Sequence, residues 1–344
     1  MMNQRGTGPD DLFRQTVSST SPRAALAFYL ACAILSPAMV LGYGLWLATA
    51  YGRRSSGASR TAQGPLSARW LQHRLGTRRD EPANHLFMAL PGVSSLAVQL
   101  VFGPIMFAHR LSGFVPPVFR YPFEGTVSLQ NQAAARQTFY DTVVERSLPQ
   151  FTQFVILGAG FDTRAYRVPA KARERVRSFE VDTPETMALK RAALRKAGID
   201  MDGVTLIGAD FEQDDWLVLL AAEGFDVQKR TLFLWEGVTP YLSQRAVEET
   251  LRKVAATARG SVIAFDYITN DVLESPAVYF RFVRASLRAG GEALKFGVDC
   301  TPPLAERLEE LVGPCGLSAT EQHTFGQETN GRRAWGGLAT AIVI

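Results

Sequence analysis

From residue 154 onward, short apolar runs recur, and each of the first four ends in glycine or acid. Phe154-Val-Ile-Leu157 leads into Gly158 and Gly160, Phe179-Glu-Val-Asp182 ends in a carboxylate, Val204-Thr-Leu-Ile-Gly208 runs into Ala209-Asp210-Phe211, and Thr231-Leu-Phe-Leu-Trp235 into Glu236-Gly237. Runs of this length and composition read as buried strands. Helix-like stretches lie between or after them: Pro184 to Ala197, basic toward its end and stopped by Gly198, then Gln244 to Arg259 and Pro303 to Val312. Gly260 to Asp266 is a fifth strand, and two more are expected near Ser318–Phe325 and Leu338–Ile344. The alternation predicts a Rossmann-like, doubly wound, mostly parallel sheet of seven strands over residues 126–344. Residues 271–300, with Phe280, Phe282 and Phe296, read as a helical insertion on the substrate side.

The N-terminal pattern is different. Ala24 to Gly52 contains no charged residue, and Ala24–Tyr51 is apolar almost throughout. A bilayer core about 30 Å thick needs roughly 20 helical residues, so 24–51 is expected to be a transmembrane helix, after a tail over 1–23. A basic juxtamembrane linker is expected over 52–81, because Arg53, Arg54, Arg60, Arg69, Arg74, Arg78 and Arg79 face only Asp80 across residues 53–80. The positive-inside rule then puts the catalytic domain in the cytoplasm, behind a single N-terminal span. A second uncharged stretch, Pro82 to Ala108, is interrupted by Pro91 and Pro104. Residues 82–125 are expected to form apolar helices over the mouth of the catalytic domain or to dip into the membrane.

Composition adds two exclusions. Net charge is +4 with pI near 9.0, but the basic excess is local, which argues against a nucleic-acid groove. Cys32, Cys300 and Cys315 are odd in number and lack metal-ligand spacing, and the four histidines are scattered. They read as reduced structural thiols without a metal centre.

Glycines at 158 and 160 after a strand, followed by an acid ending the next strand, suit a nucleotide-type ligand whose ribose is held by the carboxylate. A dinucleotide fingerprint would need glycine at 163, where Thr163 stands, and no P-loop motif occurs. A ribose ligand without phosphate remains, and S-adenosylmethionine is the common one.

Five segments in this order, Ala135–Asp141, Leu157–Arg167, Phe179–Pro184 with Lys190, Gly208–Asp210 and Glu236–Leu242, resemble the family that includes leucine carboxyl methyltransferase and many bacterial O-methyltransferases. The resemblance covers about residues 130–270; residues before about 115 match it poorly. It implies S-adenosylmethionine as cofactor, with Arg136 pairing with the methionine carboxylate. Gly158, Ala159 and Gly160 would lie under the methionine part, Asp182 would take the ribose, Asp210 and Phe211 would flank the adenine, and Glu236 would sit at the pocket floor.

The expected reaction is methyl transfer to an oxygen, carboxylate or hydroxyl, of a small-molecule or lipid-like acceptor. No catalytic base stands out. Asp214-Asp215 reads as a helix N-cap, while Asp162 and Arg164 shape the mouth of the glycine loop. A nicotinamide-dependent oxidoreductase on the same sheet, or a membrane-tethered binding protein without turnover, are the alternatives. Oligomeric state is not legible.

Overall fold

A computed structural model describes residues 21–51, 62–289, 291–326 and 333–344. The expected tail up to residue 20, and Arg53, Arg54 and Arg60, lie outside the described residues.

Seven strands form one sheet: β1 (Gln153–Leu157), β2 (Arg177–Asp182), β3 (Val204–Gly208), β4 (Thr231–Trp235), β5 (Val262–Ile268), β6 (Leu317–Phe325) and β7 (Gly336–Val343). Their spatial order is β3-β2-β1-β4-β5-β7-β6. The first five run parallel, whereas β7 is antiparallel to both β5 and β6. The expected mostly parallel, seven-stranded architecture is therefore present. Every residue of β1 and of β4 is buried, as central parallel strands covered on both faces require. The chain order reverses beside β1, between β2 and β4, so a crevice opens where the carboxyl ends of these strands diverge.

Fourteen helices are formed by the described residues. In chain order they are α1 (Pro22–Ile34), α2 (Ser36–Tyr51), α3 (Gln63–Arg74), α4 (Glu81–Ala89), α5 (Ser95–Ser112), α6 (Gln132–Ser147), α7 (Arg164–Arg167), α8 (Ala170–Arg173), α9 (Pro184–Lys196), α10 (Trp216–Ala222), α11 (Gln244–Ala255), α12 (Asn270–Glu274), α13 (Val278–Ala289) and α14 (Leu304–Val312). Thr183 and Ser243 cap α9 and α11, each accepting the backbone N–H three residues on. Asp215 caps α10, as expected.

The N-terminal half departs from the sequence reading in three ways. First, residues 24–51 are not one helix. The chain breaks at Leu35, and α1 and α2 meet at a bend of 59°. Pro37 explains the break, since it brings no N–H and its ring excludes the preceding turn's carbonyl. Ser36 Oγ instead donates to Ala33 O at 2.8 Å. No single helix among the described residues is long and apolar enough to cross a membrane; α1 and α2 pass that test only as a bent pair.

Second, the expected linker contains α3, and two of its arginines are not solvated charges. Arg69 and Arg78 are buried, at 2% and 3% exposure. Third, Pro104 does not interrupt the second apolar stretch. It is buried inside the continuous helix α5, while Pro91 follows α4. Leu86 and Phe87 of α4 are buried in the same core as Phe154 and Ile156 of β1. An aromatic cluster joins α2 to this core: Trp46 stands 5.9 Å from Phe87 and 5.7 Å from Phe102, and Trp70 lies 5.3 Å from both.

Candidate active site

A cavity of about 620 Å³ occupies the carboxyl end of the sheet. Arg136, Gly158, Ala159, Gly160, Asp182, Asp210, Phe211 and Glu236 all line it, so the structure brings all eight candidate residues together. Its roof was not foreseen. Ala62, which precedes α3, and Gly64 and Arg69 within it line the cavity, whereas no residue of α4 or α5 does. The mouth is thus covered by the segment expected as a linker.

The glycine loop has steric reasons for its composition. Gly158 has φ +63°, and a Cβ there would stand 2.2 Å from Val238 Cγ2. Gly160 N–H donates to Asp182 Oδ2 at 2.7 Å, and Thr183 N–H donates to Oδ1 at 2.7 Å. The carboxylate that ends β2 therefore also fixes the loop that follows β1. Burial pushes the Asp182 carboxyl up, and these backbone donors counter only part of that rise. Asp210 accepts from Glu212 N–H at 2.9 Å and from Gln213 Nε2 at 3.1 Å. Its own N–H donates to Asp214, which accounts for that carboxylate structurally. Phe211 is buried against Trp216, ring centroids 6.4 Å apart.

Glu236 collects three arginines. Its Oε2 accepts from Arg69 Nη2 at 3.1 Å and from Arg164 Nη1 at 2.6 Å, and its Oε1 accepts from Arg136 Nη2 at 3.3 Å. Burial alone would raise this carboxyl, but Arg164, Arg69 and Arg136 hold it below the usual range. Arg136, the residue expected to pair with a ligand carboxylate, is shared in the structure between Glu236 and Asp266, whose Oδ2 lies 3.7 Å from Nε. Its buried Nε makes no hydrogen bond.

The network continues away from the cavity. Arg164 donates to Asp162 and Asp141 and lies over the Tyr140 ring. Arg78 pairs with Asp80 and Asp141, and Arg167 Nη1 reaches Asp141 at 3.1 Å. Asp141 and Asp162 resist the upward push of burial, because these guanidinium groups hold both far below the normal carboxylate range. Sequence reasoning placed Asp162 and Arg164 correctly at the loop but missed Arg69, Arg78 and Asp266. It counted Lys190 among the basic residues toward the end of α9. Lys190 is fully buried, and its Nζ is 2.6 Å from Glu180, which is buried below the cavity and does not line it.

The opposite wall of the cavity is apolar: Ile268, Val272, Phe280, Leu287, Leu294 and Trp335. The three phenylalanines of the insertion separate here. Phe280 lines the cavity, Phe296 is core, and Phe282 is 71% exposed.

Residues 122–255 match the leucine carboxyl methyltransferase family profile. The chain is 35% identical over 153 residues to a predicted S-adenosyl-L-methionine-dependent methyltransferase of Mycolicibacterium gilvum, covering 43% of this chain and 50% of that one. It is 32% identical over 197 residues to another from Mycolicibacterium smegmatis, covering 56% and 62%, and 31% identical over 206 residues to one from Frankia alni, covering 58% and 65%. These similarities support an S-adenosylmethionine-dependent methyltransferase. They do not favour a nicotinamide enzyme. The chain spans between half and just under two thirds of the length of these relatives.

The cavity fits that cofactor on its own geometry. A volume of about 620 Å³ lies within the roughly 300–1,000 Å³ of small-molecule sites. Asp182 and Phe211 both line the cavity, so a carboxylate that could accept from ribose hydroxyls and a ring that could cover one face of an adenine are at hand. The mixed charges of Arg69, Arg136 and Glu236, with the unbonded Arg136 Nε, suit a zwitterionic amino-acid end.

Proposed function

We propose that the protein methylates an oxygen atom, carboxylate or hydroxyl, on an apolar acceptor. The bound cofactor supplies a methyl group already activated on a sulfonium. The protein's own part is alignment and exclusion of water. Asp182, Phe211 and the loop at Gly158–Gly160 fix the cofactor end of the cavity, while Arg69 and Arg136 orient its carboxylate and Glu236 its ammonium. The acceptor then lies against Ile268, Val272, Phe280 and Trp335, a wall whose apolar character keeps water from competing as nucleophile.

The observation that carries this reading is the division of one cavity into a charged half at the ends of β1, β2 and β4 and an apolar half under α12 and α13. No base is assigned, which suits an acceptor oxygen that arrives ionised, as a carboxylic acid does at pH 7. Tritium-labelled S-adenosylmethionine, incubated with the protein and a lipid extract, should give an organic-soluble labelled product. Alkaline release of labelled methanol would mark an ester and its absence an ether. Failure of the protein to bind S-adenosylmethionine or its demethylated product by calorimetry would overturn the proposal.

A further inference from the structure

The exposed side chains of α1, α2 and α5 form an apolar face that the catalytic fold leaves uncovered. On α1, Leu26, Leu30 and Ile34 recur every fourth residue along one row, and on α2 Val40 and Leu41 are exposed as well. Phe107 and Leu111 stand one turn apart on α5. Each of these seven is more than half exposed. Patches of this kind on a folded surface mark a contact with a partner or a membrane.

Charge decides between them. Residues 21–51 and 82–112 contain no aspartate or glutamate, while Arg23 and Arg110, both exposed, border the face. A second copy would set arginine against arginine with no acid to answer it. Anionic lipid headgroups would answer both.

Geometry decides how the lipid is met. Helices of 13 and 16 residues extend about 20 and 24 Å, each short of a bilayer core of about 30 Å. The third helix cannot leave the domain, because it is tied down along its length and beyond its end. Phe102 packs on Trp70 and Phe87, and past the C-terminus of α5 Thr77 Oγ1 donates to Phe119 O at 3.1 Å and Phe123 N–H donates to Thr138 Oγ1 at 2.7 Å. α1 and α2 are laid along this anchored helix. Phe28 and Ala31 share an apolar cluster with Ala108 and Phe114, and a Cβ at Gly42 would stand 2.5 Å from Leu100 Cβ.

We infer that α1, α2 and α5 form a platform that lies in one leaflet of an anionic membrane, entering and leaving on the same side, rather than a span. Tyr29, 53% exposed on α1, has the amphipathic character favoured at that depth. The inference is independent of the chemistry proposed for the cavity.

Full-length protein should float with phosphatidylcholine vesicles carrying phosphatidylglycerol and float much less with phosphatidylcholine alone. L30D/L41D/L111D, altering exposed positions only, should keep S-adenosylmethionine binding and lose at least about tenfold in vesicle partition. If the triple variant misfolds, Leu111→Asp alone should still reduce partition severalfold. In inverted membrane vesicles, a protease should remove an N-terminal epitope together with the catalytic domain. A protected epitope would mean that the bent pair spans, and a detergent-free dimer that ignores vesicles would mean that the face pairs with its own copy; either result overturns the inference.

Discussion

Arg69 Nη2 donates to Asp162 Oδ2 and to Glu236 Oε2 at 3.1 Å each, joining the N-terminal helix α3 to the ends of β1 and β4. A residue from the roof of the cavity thereby neutralises part of its floor. Arg69→Met should leave Asp162 and Glu236 short of a buried partner and lower stability by about 3 kcal/mol, the scale for breaking a buried pair. It should also weaken S-adenosylmethionine binding. Urea denaturation and calorimetry on one preparation test both, and unchanged values in both would remove α3 from the site.

Asp182 is bonded to two backbone N–H groups and still lines the cavity. Asp182→Ala should weaken cofactor binding roughly ten- to a hundredfold, corresponding to charge-assisted bonds of about 1.5–3 kcal/mol. Glu180, two residues earlier on the same face of β2, lies deeper in the domain, does not line the cavity and is paired with Lys190. Glu180→Gln should lower the melting temperature yet leave the dissociation constant within about twofold, because the lost partner is structural. Equal losses of affinity at both positions would mean that the pocket extends past the end of β2 to Glu180.

Gly158→Ala is disfavoured by both its positive φ and the Val238 methyl. It should abolish measurable cofactor binding. Adding Val238→Ala relieves the clash but not the backbone strain, so the double variant should recover binding only in part. Full recovery would show that space alone requires glycine there.

Stability should fall steeply in acid. Asp141, Asp162 and Glu236 have folded-state pKa values below their unfolded values of about 3.9 and 4.3. Their contribution is complete above about pH 5 and is lost as pH drops through and below 4. Glu180 and Asp182, raised by burial, act in the opposite sense, since protonation relieves them. Five arginines hold the first group, so the first effect should dominate. Urea midpoints at several values between pH 7 and 3 measure the balance, and a flat profile would contradict it.

The sheet was legible in the sequence because its strands are short apolar runs and its ligand-facing ends carry glycine or acid. All eight cofactor-side residues sit at such ends or on α6, and they converge on one cavity. What the sequence concealed is long-range pairing. Arg69 and Arg78 look like any surface arginine in a basic stretch, and only the fold reveals partners 63 to 167 residues away. The break at Leu35 did have a signal, Ser36-Pro37 in the middle of the apolar run, which composition and length outweighed. The Phe-rich insertion was ambiguous because burial and cavity lining ask for the same residue type.

The ion network at the cavity floor has a bearing on ligand choice. Arg69 and Arg136, with Arg164 just behind them, are balanced there by Asp162, Glu236 and Asp266. With positive and negative groups cancelling, the floor has no surplus cation with which to neutralise an incoming phosphate. An amino-acid end, itself neutral overall, can enter by exchanging partners one for one. A pyrophosphate would bring two uncompensated negative charges into a water-poor space, where they are most costly. A floor paired in this way favours a ligand that is neutral overall at that end over one that brings net negative charge.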